Sequence, residues 1–417
     1  MSVQQSVTVG KLYLEDSPNG KVRLCTNLQF SNRDDYKLWF EYDKIFENYI
    51  VTDRADAILF SIVPFCMEEG YNINFTDPIS SELYLYFTQL LLPKLSESME
   101  PYAAIELNAK TTDVKLSCEG AAATAISAGV DSLFTILKAD EYPEDCGLKY
   151  YTLYNVGAFH IGKKKTNPKA VRDEFNKKVA AVQKIADKRG IPLIAVDSNI
   201  SELVGTKYRE RVMFNLIGTT LTLQKILGKY YISSSFPFEQ FAFNYRHSEM
   251  YGLFLTDAAN VTGTHFYLVG AEGNRFEKLE YLVNKPETYD ILNVCWHDVA
   301  HNCGKCSKCA YTMLILDALG HLEDYSPVFD VEYYKTNKKF YQLELLGRST
   351  YGVEEAKKVK KILVEKGWKF SLPIRFKAFL LRRYHAYVES LTSSVKNAEI
   401  TEKLSKNKLL RKMFHLG

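Results

Sequence analysis

The sequence has no apolar run long enough to cross a membrane: no stretch of about 18 apolar residues occurs, and a transmembrane helix needs about 20. Residues 1–11 are polar and contain no apolar signal core, so we expect a cytoplasmic protein with reduced cysteines. Internal repeats and low-complexity segments are absent. With 46% hydrophobic residues in a chain of 417, these absences favour two or three ordinary globular domains and no membrane.

A Walker A loop is also absent at the most notable turn of the chain, because no Gly-Lys-Ser/Thr follows it. The run Ala121–Ile126 predicts a short buried strand, and Leu133–Lys138 continues at helical period. The six residues between them are Ser127, Ala128, Gly129, Val130, Asp131 and Ser132. A turn of small residues between a strand and a helix is typical of a phosphate-binding loop.

Each residue type in this loop suits an anion with its metal ion. Gly129 can adopt a positive φ, and the first N–H groups of the helix point at a bound group. Ser127 and Ser132 can each donate a hydroxyl hydrogen bond to a phosphate oxygen. Asp131 would repel phosphate, so its carboxylate makes sense mainly as a ligand of the accompanying Mg²⁺. An ordinary strand-to-helix turn is the alternative.

Cysteine is scarce except in one segment. Half of the eight cysteines occur within fifteen residues, as C-x7-C-x2-C-x2-C at Cys295, Cys303, Cys306 and Cys309. Four thiolates at these spacings can close a tetrahedral Zn²⁺ site. A redox pair would leave two of them unexplained, whereas an iron–sulfur cluster stays open. His297 and His301 lie inside the segment, and we expect them at the surface or beside the ligands.

The loop resembles the Ser-Gly-Gly-X-Asp-Ser loop of the N-type ATP pyrophosphatases, the PP-loop family, with Ala128 in place of the first Gly. Together with the cysteine segment, it resembles the 7-cyano-7-deazaguanine synthase family over residues 118–325. The resemblance implies a PP-loop (adenine nucleotide alpha hydrolase-like) fold, and ATP cleaved between its α and β phosphates to activate 7-carboxy-7-deazaguanine or a related carboxylate. Long relatives in defence or polysaccharide gene clusters imply a further option, in which an amine of a partner protein replaces ammonia as acceptor.

Alternating strands and helices between the two motifs predict an α/β fold with a parallel sheet, whose ligands lie at the carboxyl ends of the strands. This prediction brings Asn155, Asp197 and Ser234 to the loop. Asn155 and Ser234 are candidate ATP contacts, and Asp197 is a candidate contact for ribose or magnesium. A turn-forming role for Asn155 and helix capping by Asp197 or Ser198 are equally good alternatives.

The resemblance also implies a cation near the departing pyrophosphate, and Arg275 and Lys278 are the candidates. We assign ATP binding to Arg275 and catalysis to Lys278, together with Asp131 and Ser132. The alternative is a solvated helical face on which Arg275 and Lys278 form ion pairs with Glu277 or Glu280.

The two flanks of this core differ in charge. Residues 1–118 carry seventeen acidic and ten basic side chains, and residues 356–417 carry sixteen Lys and Arg against four Asp and Glu. We therefore predict an α+β extension over 1–117, the ATP pyrophosphatase core with its zinc segment over 118–325, and a basic helical extension over 326–417, with helices at 375–389 and 402–414.

Charge alone leaves the partner of the basic extension open. A solvated helical subdomain, a docking surface for an acidic protein and, less favoured, a nucleic-acid surface all fit, and a homodimer is an option. Two other functions also stay open: an RNA-modifying PP-loop enzyme, and a nucleotide-binding scaffold that has lost catalysis.

Overall fold

The computed structural model describes residues 5–156, 167–204, 207–350, 354–380 and 383. The chain divides into two compact units, residues 1–274 and 275–417. Within the described ranges, no helix is both long and apolar enough to cross a membrane. The predicted division at residues 117 and 325 stays a prediction, and the helix predicted over 402–414 lies outside the described residues.

The first unit is built on a mixed sheet of eleven strands among the residues described. Its strands, with those of a separate two-stranded sheet (β6 and β8), are β1 Ser6–Val9, β2 Tyr13–Asp16, β3 Val22–Phe30, β4 Tyr36–Tyr42, β5 Asn72–Phe75, β6 Ile79–Ser80, β7 Leu107–Asn108, β8 Thr111–Thr112, β9 Ala121–Ala125, β10 Leu148–Tyr154, β11 Leu193–Ser198, β12 Leu227–Ser233 and β13 His265–Val269. The order in the large sheet is β13-β12-β9-β10-β11-β4-β3-β1-β5-β7, and β2 pairs with β3.

Five neighbouring strands of the large sheet, β13-β12-β9-β10-β11, are mutually parallel. Strand β4 continues the sheet antiparallel to β11, with Asp197 opposite Glu41. The prediction of an α/β chain with a mostly parallel central sheet is therefore confirmed. The first strands of the chain extend this sheet, so the acidic extension shares the sheet of the predicted core.

Helices cover the sheet. Those of the first unit are α1 Asp56–Glu69, α2 Ser81–Tyr86, α3 Leu92–Ser98, α4 Val130–Ala139, α5 Pro168–Arg189, α6 Ile200–Val204, α7 Tyr208–Leu221 and α8 Gly252–Asn260. Helix α1 is apolar all round and is buried over nearly its whole length, as expected of a core helix. It packs on α7, where Gly218 allows the two backbones to approach closely.

Two sequence-based boundaries are wrong. The sequence pattern predicts one strand over residues 7–14, but the structure has two, because three residues, 10–12, lie opposite only two residues of β3 between the pairs Val9–Leu28 and Tyr13–Cys25. The pattern also predicts a helix over residues 209–227 that Gly228 stops, but α7 ends at Leu221, seven residues before Gly228, which lies inside β12. A Cβ at Gly228 would stand 2.7 Å from the Gly120 Cα, so this glycine allows two chain segments to approach.

The second unit is helical where it is described: α9 Arg275–Leu282, α10 Ser307–Leu319, α11 Val331–Thr336, α12 Lys338–Thr350 and α13 Glu354–Glu365. Residues 372–380 are also helical. Helix α10 is almost entirely buried and packs against α12 and α13. It begins within the cysteine segment, which the core of this unit therefore supports.

Candidate functional site

The loop 127–132 lies at the switch point of the parallel sheet. Strand β9 leads into it and α4 leads out. The chain then passes to β10 on one side of β9, while β12, much later in the sequence, pairs with the other side. Ligands of open α/β sheets bind in the crevice that such a reversal leaves at the carboxyl ends of the strands.

The backbone of the loop turns at Ala128, which has a φ of 57°. Gly129, where we expected the positive φ, has a φ of −78° and precedes the helix as its N-cap. The residue that departs from the Ser-Gly-Gly pattern thus occupies the conformation that favours glycine. The left-handed region costs an alanine about 1–2 kcal/mol, so the surrounding structure must stabilise the turn.

Ser132 supplies part of that stabilisation. Its buried hydroxyl donates to the Ala125 carbonyl at 2.9 Å and accepts from the Ser127 N–H at 3.0 Å. In this structure the one hydroxyl proton of Ser132 goes to the Ala125 carbonyl, and the contact of Ser132 with phosphate stays a prediction. Ser127 is exposed, and its Oγ accepts from the Gly129 N–H at 3.3 Å, which leaves its own proton for a ligand.

The N-terminus of α4 adds backbone donors at the same point. The first hydrogen bond within the helix runs from the Leu133 N–H to the Gly129 carbonyl. The N–H groups of Val130 and Ser132, in the first turn, therefore have no acceptor inside the helix. Asp131 is half-buried in this first turn. An anion bound here gains about 0.3–1 kcal/mol from the helix dipole.

Asn155 directly follows β10 and is 1% exposed. Its Nδ2 donates to Asp197 Oδ1 at 2.6 Å, and its Oδ1 has no partner among the residues that the structure describes. Asp197 lies near the end of β11, the next strand, and also accepts from Arg172 Nε at 3.2 Å. The structure thus brings Asn155 and Asp197 together at the carboxyl edge, as the sheet predicts. Sequence reasoning missed Arg172, because it is one of many charged residues in α5 and belongs to no motif.

Ser234 directly follows β12 at the same edge of the sheet. Its N–H donates to the Val269 carbonyl at 2.9 Å, and its Oγ donates to the Phe236 carbonyl at 2.7 Å. These two hydrogen bonds hold the backbone of the segment that directly follows β12. The contact of Ser234 with ATP stays a prediction.

The four cysteines of the second unit converge. Their Sγ atoms all lie within 4.8 Å of one another, so the cluster could hold a metal ion such as zinc. Tetrahedral zinc with Zn–S bonds of about 2.3 Å places sulfurs about 3.8 Å apart. The N–H of Cys306 donates to Cys303 Sγ at 3.3 Å, and that of Cys309 donates to Cys306 Sγ at 3.4 Å.

Local structure explains why these cysteines meet. Gly304, with a φ of 67°, turns the chain between the second and third cysteines, and its carbonyl accepts from the Tyr341 hydroxyl. Cys306 is the N-cap of α10, where the helix dipole favours a thiolate. His297 and His301 are exposed and lie outside the cluster, as expected.

Hydrogen bonds between the cysteine side chains shift their pKa values in opposite directions. A hydrogen bond from Cys306, and then one from Cys309, lowers the pKa of Cys295 far below its usual range. The same bond to Cys295 raises the pKa of Cys309 and of Cys306. Such a cluster ionises at one sulfur first, and a metal ion displaces the remaining protons when it binds.

Arg275 and Lys278 lie on α9 in the second unit. Arg275 is half-buried near Tyr311 and Glu355; burial raises the pKa of both groups, and the charge of Arg275 offsets part of that rise. Lys278 is only 2% exposed, so the alternative of a solvated lysine does not hold. The assignment of both to pyrophosphate stays a prediction.

No family model, curated protein or solved structure matches this chain. The function is therefore argued from the loop, from the polar side chains at its edge of the sheet and from the cysteine cluster.

Proposed function

We propose that this protein is an ATP-dependent carbon–nitrogen ligase of the PP-loop type. In this proposal ATP binds at the carboxyl edge of the parallel sheet, with its phosphates at loop 127–132, and is cleaved to AMP and pyrophosphate. The observation that carries the proposal is the loop itself: a strand–turn–helix with the Ser-x-Gly-x-Asp-Ser pattern at the switch point of a parallel sheet.

The geometry supports nucleotide binding in three ways. The hydrogen bonds of Ser132 fix the turn, so the loop needs little rearrangement to receive a ligand. The exposed Ser127 hydroxyl and the first N–H groups of α4 are donors at the same point. The buried oxygen of Asn155 lacks a partner among the described residues, and buried polar groups without partners are rare.

The chemistry follows from a bound carboxylate and ATP. A carboxylate oxygen attacks the α-phosphorus, the α–β bridging bond breaks, and pyrophosphate leaves with the electron pair. An amine then adds to the acyl carbon of the adenylate, loses its proton, and AMP departs. No protein nucleophile is needed, because positioning and charge neutralisation supply most of the rate enhancement.

Asp131 is the proposed ligand of the Mg²⁺ that neutralises the pyrophosphate. A carboxylate at a phosphate site suits a hard cation with oxygen ligands. Zinc at the four cysteines would be structural, since four thiolates fill a tetrahedral site and leave no open position for a substrate.

The proposed acid is 7-carboxy-7-deazaguanine or a related deazapurine, on the strength of the sequence resemblance. The acceptor is either ammonia or an amine of a partner protein. With ammonia the product would be an amide, whose oxygen would attack the α-phosphorus of a second ATP, with pyrophosphate leaving, and would then depart in AMP as the nitrogen loses its protons to give a nitrile. The acidic extension shares the sheet with the proposed ATP site, so it belongs structurally to the catalytic unit.

Pyrophosphate release tests the proposal. Purified protein with Mg²⁺, ATP and 7-carboxy-7-deazaguanine should release pyrophosphate and AMP, and Asp131→Ala should abolish release without altering the circular dichroism spectrum. Asp145→Ala, an exposed carboxylate beyond the other end of α4, is the matched control and should retain activity. Unchanged release by Asp131→Ala would refute the role of the loop.

A further inference from the structure

The orientation of the Asn155 amide is fixed by its neighbour. One terminal atom of the amide lies 2.6 Å from Asp197 Oδ1. A carboxylate only accepts hydrogen bonds, so the atom that faces it must be the amide nitrogen. The amide oxygen must then point away from Asp197.

Asp197 is itself held in place. It accepts from the Ser198 N–H at 2.8 Å and from Arg172 Nε at 3.2 Å. The Arg172 guanidinium also donates to Glu202 at 2.8 Å and lies 5.1 Å from the centre of the Trp39 ring. Because these contacts restrain both the carboxylate and the arginine, Asp197 cannot easily turn to allow the Asn155 amide to flip.

The Asn155 oxygen is therefore a buried acceptor without a donor among the described residues. The side-chain amide of Asn215 is oriented in the same way, with its nitrogen toward an acceptor. Asn215 Nδ2 donates to the carbonyl of Val156 at 3.5 Å, and the Asn215 Oδ1 is also buried without a partner in the described part of the chain. Two acceptors thus flank the chain directly after β10, where a ligand that donates hydrogen bonds would satisfy them.

We propose that Asn155 selects the nucleotide base by accepting a hydrogen bond from the 6-amino group of adenine. Asp197 and Arg172 are positioning residues that keep the amide oxygen turned toward the base. A 6-oxo purine would place its own acceptor against this oxygen, and a site built for a hydrogen bond rejects a ligand that leaves it unmade. This inference rests on the proposed ATP site and adds the base specificity to it.

Equilibrium binding of ATP and ITP in the presence of Mg²⁺ tests the inference. The two nucleotides share sugar and phosphates and differ at the purine 6-position. The native protein should bind ATP about tenfold or more tightly than ITP, the effect of one hydrogen bond made or left unmade. Asp197→Asn allows the Asn155 amide to flip and should bring the two dissociation constants to within about threefold.

Two further variants separate positioning from folding. Asp173→Asn changes an exposed carboxylate next to Arg172 and should keep the native preference for ATP. The double exchange Asn155→Asp with Asp197→Asn restores a donor facing an acceptor, because the new amide at position 197 donates to the new carboxylate at position 155. The second oxygen of that carboxylate then faces the base, so this variant should recover the ATP preference that Asp197→Asn loses.

Equal affinity of the native protein for ATP and ITP would overturn the base-specificity inference and leave the proposed ligase function standing. An undiminished ATP preference in Asp197→Asn would refute the positioning role of Asp197. Absence of binding to either nucleotide would overturn both the inference and the proposed function.

Discussion

Replacing Gly218 with alanine tests the packing of helix α1, which belongs to the acidic extension, against helix α7. Gly218 lies in α7, and a Cβ there would stand 2.3 Å from Ser61 Oγ and 2.7 Å from the Ala57 carbonyl oxygen of α1. The serine hydroxyl can rotate, but the carbonyl belongs to the helix backbone. The two helices would therefore have to move apart.

The magnitude follows from two opposing effects. Overpacking a buried contact costs about 1–3 kcal/mol. The upper end of this range applies because the added Cβ would clash with a backbone carbonyl of α1. Alanine in place of glycine inside a helix gains about 1 kcal/mol. We expect Gly218→Ala to lower the free energy of unfolding by about 2 kcal/mol.

Gly347→Ala is the matched control. Gly347 lies inside α12, and a Cβ there meets no atom within 4 Å. This variant should be neutral or up to about 1 kcal/mol more stable. Equilibrium urea unfolding, followed by circular dichroism, compares both with the native chain. A Gly218→Ala protein as stable as Gly347→Ala would refute the close packing of α1 on α7.

Three other substitutions test the site and its surroundings. Cys309→Ser, at the most buried thiol of the cluster, should reduce bound zinc from one per chain to a small fraction by atomic absorption; iron in the native protein would contradict a zinc site. Ser132→Ala leaves the Ser127 N–H and the Ala125 carbonyl unpaired, so it should cost about 1–3 kcal/mol in urea unfolding and weaken ATP binding; native stability would contradict the role of the hydroxyl. Burial raises the pKa of Glu355 above 4.5, so the stability that its bound proton contributes at low pH is lost as pH rises through the folded pKa. The urea midpoint of Glu355→Gln, whose side chain stays neutral, should therefore equal that of the native protein at pH 4 and exceed it at pH 7. The same difference between the two midpoints at both pH values would contradict this.

Regular elements with clear ends are predictable from this sequence. The sequence pattern alone predicts a strand over His265–Val269 and a helix over Glu354–Glu365, and β13 and α13 have these bounds. Alternating apolar residues between turns define the strand, and an apolar stripe defines the helix. The convergence of the four cysteines follows in the same way from their spacing.

Features that depend on tertiary contacts are not predictable. Gly228 looks like a helix stop, yet the close approach of Gly120 requires it inside β12. Threonine hydroxyls, at 220 and 222, bond back to the α7 backbone, so the helix ends early. Arg172 becomes distinctive only when β11 brings Asp197 beside it.

Transfer of labelled oxygen tests the central claim most directly. The protein would be incubated with ATP, Mg²⁺, an amine and 7-carboxy-7-deazaguanine labelled with ¹⁸O in its carboxylate, and the AMP would be analysed by mass spectrometry. Because the carboxylate oxygen that attacks the α-phosphorus leaves with AMP, the account predicts AMP that carries one ¹⁸O. ADP with inorganic phosphate, or AMP without the label, would contradict it.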